Sequence, residues 1–255
     1  MIDGQIGSRS AAPPRETYRE TVGRLASAQK KAAPGAPAYS IYVNRRVGRY
    51  LAAWAFRAGL TPNNVTAISA AGTFSGIILI AVLPLSWYAG VGIWLLLAVG
   101  YAFDSADGQV ARLRGGGSLG GEWLDHVVDS LKIASLHLAV LVTMFLHLDL
   151  ASPWLLLVPI GYSIVASVSF FAMILNDQLK RVHEQRTQSD VPRGRSTLIR
   201  SLLVIPTDYG FLCLIFVLLG APVLFFVVYA LMFVANAGHL LLASRKWFRD
   251  MSRLS

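Results

Sequence analysis

Residues 104–129 decide the fold of this chain, and they read DSADGQVARLRGGGSLGGEWLDHVVD. Two pairs of aspartates stand at helical spacings in this stretch, Asp104 with Asp107 and Asp125 with Asp129. Residues three or four apart lie on one face of a helix. The run of glycines between the pairs strongly disfavours a helix. The stretch therefore predicts two helix ends that meet across a glycine turn, with four carboxylates directed into one space.

Four carboxylates in so small a volume repel one another unless a cation lies between them. Two divalent ions would neutralise them, and ligation by oxygen alone favours Mg²⁺ or Mn²⁺ over zinc. Two ions held by carboxylates suit chemistry at a phosphate, where charge develops on the attacking and the leaving oxygen. The alternative is that the four acids are separately solvated loop residues, in which case their spacing is a coincidence.

The stretch also has every fixed position of the signature D-x2-D-G-x2-A-R-x8-G-x3-D-x3-D, and so closely resembles the CDP-alcohol phosphotransferases. The resemblance covers about residues 60 to 245. It implies an integral membrane enzyme that moves a substituted phosphate from a CDP-alcohol to an acceptor hydroxyl and releases CMP. It further implies that two Mg²⁺ or Mn²⁺ ions are bound by Asp104, Asp107, Asp125 and Asp129, and that Asp129 is the catalytic base.

The resemblance implies a nucleotide site as well, with contacts from Asn63, Thr66, Asp107, Gly108, Ala111, Arg112, Ser118 and Gly121. Physical reasoning agrees for two of these residues. At about 100° per residue, Gly108 and Ala111 fall within about 40° of Asp104, so the acidic face is also the face without bulk. Tight helix packing would explain the same two small residues. Asn63 and Thr66 also fit an ordinary helix start, with Thr61 as the cap.

Composition places the chain in a membrane. Of its 255 residues, 55% are hydrophobic, and the mean hydropathy is +0.53. The formal net charge is +9. All Lys and Arg residues but one lie before residue 61, within the motif, between Lys180 and Arg200, or after Ser244. This positive-inside pattern predicts that both termini and the active-site turn face the cytoplasm of a cell membrane, where the charge meets anionic lipid and phosphorylated substrates rather than nucleic acid.

The predicted fold is all-α and polytopic, with six transmembrane helices and an N-terminal interfacial amphipathic helix. The expected spans are at about 64–84, 87–110, 122–147, 153–175, 201–220 and 222–243. The expected domains are a mobile cytoplasmic tail (1–38), the amphipathic helix (39–60), the catalytic domain (61–245) and a basic cytoplasmic tail (246–255). A contact between two copies competes with the interfacial role of 39–60, and we expect a homodimer.

Three cations are candidates for binding the acceptor: Lys132, Arg195 and Arg200. Lys132 is the one cation far from the basic clusters, and an ionisable group within a membrane indicates function by default. Pairing with an aspartate is the alternative for Lys132, and positive-inside topology is the alternative for the two arginines. The expected donor is CDP-diacylglycerol, with a soluble acceptor alcohol. A small CDP-alcohol with a lipid acceptor is the second reading, and a transporter with a cation site or a membrane scaffold is a third.

Overall fold

The computed structural model describes residues 16–27, 37–187 and 207–253. Every regular element in these ranges is a helix. The α-helices are α1 (Tyr18–Ser27), α2 (Arg45–Arg57), α3 (Pro62–Val82), α4 (Trp87–Leu113), α5 (Leu119–His147), α6 (Leu157–Thr187), α7 (Tyr209–Ile215) and α8 (Pro222–Ser252). Short helical turns extend three of them, with Ser40–Asn44 before α2, Pro153–Leu156 before α6 and Phe216–Gly220 after α7.

Five helices are long and apolar enough to cross a membrane: α3, α4, α5, α6 with its preceding turn, and α8. The predicted span at 201–220 overlaps a shorter apolar helix, Tyr209–Gly220, and its first residues lie outside the described ranges. An all-helical protein with five candidate spans is therefore established. The sixth span and the orientation of the termini stay predictions. Helices α6 and α8 run past their predicted ends because their polar last turns keep the helical backbone bonds beyond the apolar stretch.

Helices α3 and α4 pack closely because glycines face each other at their contact. A Cβ added to Gly72 would lie 3.5 Å from the Cα of Gly100, and one added to Gly76 would lie 3.0 Å from a methyl group of Leu97. A Cβ on Gly100 would lie 2.9 Å from the backbone nitrogen of Thr73. Small residues spaced in this way allow backbones to approach within a membrane. The contact sets α3 directly beside the acidic face of α4.

Helix α2 packs on α4 by its small residues and leaves its large apolar residues exposed. Ala52, Ala53 and Ala55 are fully buried, whereas Tyr50 and Trp54 are about half exposed. The helix falls within the segment 39–60, and its exposed apolar face is of the kind that enters a membrane interface. That interfacial position remains a prediction.

Part of the predicted N-terminal tail is packed against the protein. Helix α1 buries Thr21 and Leu25 against α2, and the hydroxyl of Tyr18 donates a hydrogen bond to the carbonyl of Tyr50 (3.1 Å). A side chain of Arg57 donates to the carbonyl of Glu16. The sequence shows why this segment folds, since its few apolar residues recur at helical spacing. Residues 1–15 and 28–36 of the predicted tail lie outside the described part of the chain.

Candidate active site

Three carboxylates converge where α4 and α5 approach the glycine turn. One oxygen of each of Asp104, Asp125 and Asp129 lies within 4.8 Å of the other two, and all three side chains are half-buried. Asp104 is about 26 Å along α4 from its start, taking 1.5 Å per residue. Asp125 is only about 9 Å along α5. The cluster therefore lies towards one end of both spans, as the positions of the acids predict.

The fourth aspartate of the motif is engaged separately. Asp107 is 7% exposed, and its Oδ2 accepts a 2.7 Å hydrogen bond from the hydroxyl of Thr66 on α3. Its Oδ1 accepts a 2.5 Å bond from the backbone amide of Gly108. The structure thus brings three of the four predicted metal ligands together. The fourth, Asp107, accepts a hydrogen bond from Thr66, which is predicted to bind the nucleotide.

Lys132 is the cation of the acid cluster. Its ammonium donates to Oδ1 of Asp104 at 2.6 Å, to Oδ1 of Asp129 at 3.1 Å and to Oγ of Ser69 at 3.1 Å. The residue is 5% exposed, so these bonds form largely out of contact with water. An ammonium has three N–H donors, and here each has an acceptor. The structure thus shows the pairing alternative for Lys132, whose predicted contact with the acceptor remains a hypothesis.

Ser69 fixes the ammonium from the neighbouring helix. Its hydroxyl donates a 2.9 Å bond to the carbonyl of Gly100, and its oxygen accepts from Lys132. Ser69 is fully buried, and sequence analysis did not identify it. The available signal was its spacing, because Ser69 is three residues after Thr66 and so on the same face of α3.

The glycine turn requires glycine at two positions and then starts α5 with a cap. Gly115 and Gly116 have φ values of 94° and 132°, in the left-handed region that favours glycine. Ser118 then precedes the first residue of α5, and its Oγ accepts a 3.0 Å bond from the amide of Gly121. Ser118 is therefore the N-cap of the helix that carries Asp125 and Asp129, beside any role that it has in nucleotide binding.

Several residues predicted to bind the nucleotide are neighbours around this turn. A Cβ added to Gly121 would lie 3.3 Å from Oδ1 of Asn63, and one added to Gly108 would meet only the guanidinium of Arg112, at 3.8 Å. The start of α3, the end of α4 and the start of α5 thus surround one region. The space over Gly108 is open, as a ligand that approaches the backbone would need.

The basic segment between Lys180 and Arg200, which includes two predicted acceptor ligands, is described by the structure only as far as residue 187. Lys180 on α6 lies 3.6 Å from a carboxylate oxygen of Asp250 on α8, and Arg181 lies 2.5 Å from Oε1 of Glu122 on α5. These two cations join helix ends to one another. Arg195 and Arg200, the other two predicted acceptor ligands, lie outside the described residues.

The converging side chains fit a hard divalent cation. Asp104, Asp125 and Asp129 offer oxygen ligands alone. Mg²⁺ and Mn²⁺ prefer carboxylate oxygens, whereas zinc sites usually include histidine nitrogen or cysteine sulfur. The described residues thus suit the ions that the sequence predicts.

Comparisons with known proteins assign the chain to a family. The model of the CDP-alcohol phosphatidyltransferase family matches residues 59–244, and the chain belongs to that family. It is accordingly a membrane transferase of phospholipid biosynthesis, with transmembrane helices and a cluster of carboxylates suited to a metal ion. A search of curated proteins found no match.

Two similar crystal structures are of the phosphatidylinositol phosphate synthase PgsA1 of Mycobacterium tuberculosis. The complex with manganese and citrate is 20% identical, has a TM-score of 0.46, and the match covers 78% of this chain and 87% of that one. The structure with CDP-DAG bound is 19% identical, has a TM-score of 0.46, and the match covers 81% and 94% of the two chains.

Proposed function

We propose that this protein transfers the phosphatidyl group of CDP-diacylglycerol to the hydroxyl of an acceptor alcohol and releases CMP. The observation that carries the proposal is the convergence of Asp104, Asp125 and Asp129 within 4.8 Å at the ends of two membrane helices. Membership of the family supports the reaction class. The proposed site is on the cytoplasmic side of the cell membrane, in keeping with the basic clusters near the same helix ends.

Asp129 is the proposed base. Lys132 bonds one of its oxygens, Oδ1, and Oδ2 takes the proton of the acceptor hydroxyl. The acceptor oxygen forms a bond to the phosphorus that bears the diacylglycerol group, and the bond from that phosphorus to the CMP oxygen breaks. Because Ser69 and Asp104 accept the other two hydrogen bonds of the Lys132 ammonium, the carboxylate of Asp129 is oriented before the substrates bind.

The metal ligands are proposed to be Asp104, Asp107, Asp125 and Asp129. Mg²⁺ or Mn²⁺ bound there supplies positive charge to the diphosphate and the departing CMP. The proposed ligands come from two consecutive helices joined by the glycine turn. A change in that turn therefore alters the distance between Asp104 and the acids of α5.

The nucleotide is proposed to lie between the start of α3 and the glycine turn. Gly108 leaves open space above the backbone of α4, and Arg112 stands next to that space with a cation for a phosphate. Thr66 holds the carboxylate of Asp107 at the same side. Asn63, Ala111, Ser118 and Gly121 complete the proposed contacts.

The test is release of CMP by the purified full-length chain with Mg²⁺ or Mn²⁺. One arm supplies CDP-diacylglycerol with a panel of soluble alcohols, with and without phosphate groups, and the other supplies small CDP-alcohols with diacylglycerol. We expect CMP only in the first arm, and only with a divalent cation. Turnover in the second arm alone would replace the proposed donor by a small CDP-alcohol. No CMP in either arm, from protein that binds CDP, would refute the proposed reaction for these substrates.

A further inference from the structure

Lys132 changes the charge balance of the acid cluster. Its ammonium bonds both Asp104 and Asp129, which are two of the three converging carboxylates. Three carboxylates carry three negative charges, and the ammonium cancels one of them. A single divalent ion therefore neutralises the cluster, and a second divalent ion would leave an excess of positive charge.

Excess charge is costly in this place. Lys132 is 5% exposed, and its partners are half-buried. Water screens such charges weakly, so like charges a few ångströms apart repel strongly. The ammonium is also unable to swing away freely, because Ser69 on α3 accepts its third hydrogen bond and is itself fixed to Gly100.

Asp107 adds a negative charge but is not part of the converging group. Both of its oxygens are engaged, one by Thr66 and the other by the amide of Gly108. Each oxygen keeps a free lone pair, so Asp107 can still ligate a metal ion. One carboxylate is too few ligands for a second ion, however, so an ion next to Asp107 lacks a ready set of protein ligands. The phosphate oxygens of a bound nucleotide would supply both the missing ligands and the missing negative charge.

We infer that Lys132 is a built-in counter-ion that makes binding of the second metal ion depend on the nucleotide diphosphate. The inference rests on the proposed function, since it concerns the same site. The free protein binds one divalent ion at Asp104, Asp125 and Asp129. The second ion binds together with the diphosphate, next to Asp107. Lys132 is thus a positioning residue, which acts through the charge and orientation of two aspartates.

The experiment counts bound Mn²⁺ on the purified full-length chain. Equilibrium dialysis against Mn²⁺, with the free ion measured by its electron paramagnetic resonance, is run with and without CDP. A dialysis without protein corrects for Mn²⁺ bound by CDP itself. We expect one tightly bound ion per chain without CDP and two with CDP. Two tight ions without CDP, or none, would overturn the inference.

Variants separate the charge of Lys132 from its structural role. In Lys132→Met, the second ion should bind without CDP at least about tenfold more tightly than in the wild type. Lys132→Arg keeps the charge and should keep the dependence on CDP. An unchanged dependence in Lys132→Met contradicts the inference. Asp107→Asn should still bind the first ion, which is placed at Asp104, Asp125 and Asp129. Loss of the first ion in this variant, which retains Lys132, would contradict the inference.

The Mn²⁺-binding experiment and the CMP-release experiment test different claims, and each can fail while the other succeeds. If CMP is released from CDP-diacylglycerol but Mn²⁺ binds with the same stoichiometry with and without CDP, the inference fails and the proposed function stands. If CDP changes Mn²⁺ binding as expected but no CDP-alcohol is turned over, the proposed reaction fails and the role of Lys132 stands.

Discussion

The hydroxyl of Thr66 on α3 donates a 2.7 Å hydrogen bond to Oδ2 of Asp107 on α4. Both side chains are nearly fully buried. The same hydroxyl is 3.1 Å from the carbonyl of Pro62, so it stays close to the backbone of its own helix. This pair connects the start of the first long helix to the signature motif, which is 41 residues further along the chain. Thr66, which is predicted to contact the nucleotide, is thus bonded to a predicted metal ligand.

The first prediction removes that hydroxyl. Thr66→Val keeps the shape of the side chain and leaves Oδ2 of Asp107 without its donor. A hydrogen bond to a charged group contributes about 1.5–3 kcal/mol, so kcat/KM for the CDP-alcohol should fall about tenfold to a hundredfold. Thr66→Ser retains the hydroxyl and should stay within about threefold of the wild type. Equal losses in the two variants would show that the bond to Asp107 is unimportant.

The second prediction concerns the proposed base. Asp129→Asn removes a proton acceptor and a negative charge from the cluster, and kcat should fall by about a thousandfold or more. Asp149→Asn is the matched control, because Asp149 is an exposed aspartate in the connection after α5. It should retain full activity. CMP release from CDP-diacylglycerol measures both variants, and turnover by Asp129→Asn near the wild-type rate would exclude Asp129 as the base.

Much of the site follows from the sequence because helical spacing and turn chemistry act locally. The i,i+3 and i,i+4 spacings of the acids predict their shared faces, and the glycines predict the turn at Gly115 and Gly116. The cap at Thr61 is likewise confirmed, since its side chain accepts from the amide of Asn64. Hydrophobic length was sufficient for five spans.

What the sequence leaves open depends on contacts between distant residues. Asp107 and Thr66 are both in the predicted site, but no local pattern shows that they bond to each other rather than to separate ligands. The partners of Lys132 include Ser69 on another helix. The ion pair of Arg181 with Glu122 joins residues 59 positions apart. Such pairs depend on how the helices pack against one another. Local spacing patterns in the sequence do not reveal that packing.

The third prediction tests the open space over Gly108. An added Cβ would meet only the Arg112 guanidinium, at 3.8 Å, and alanine favours a helix over glycine by about 1 kcal/mol. Gly108→Ala should therefore fold with an unchanged or higher Tm. Its methyl group would displace a nucleotide from the backbone of α4, and a displacement of about 1 Å costs about a hundredfold in rate.

Gly100→Ala is the contrasting variant on the same helix. Its Cβ would clash with the hydroxyl oxygen of Thr73 and would lie 3.0 Å from the carbonyl oxygen of Ser69. The two helices would have to separate, so Tm should fall. Size-exclusion chromatography of heated samples measures the stability of both variants, and CMP release measures their activity. A Gly108→Ala protein that is both stable and fully active would show that no substrate approaches this face.

The fourth prediction tests the orientation in the membrane, and the chain is suited to it because its single cysteine, Cys213, is 1% exposed. The wild type should therefore give little background with a membrane-impermeant maleimide. Asp149→Cys and Arg253→Cys place a thiol at two exposed positions, the first after α5 and the second beyond α8. If the basic clusters face the cytoplasm, spheroplasts should label Asp149→Cys while intact and Arg253→Cys only after permeabilisation. The reverse pattern would place the carboxylates of α4 and α5 on the opposite side of the membrane. Labelling of both variants in intact spheroplasts would require an even number of spans between the two positions.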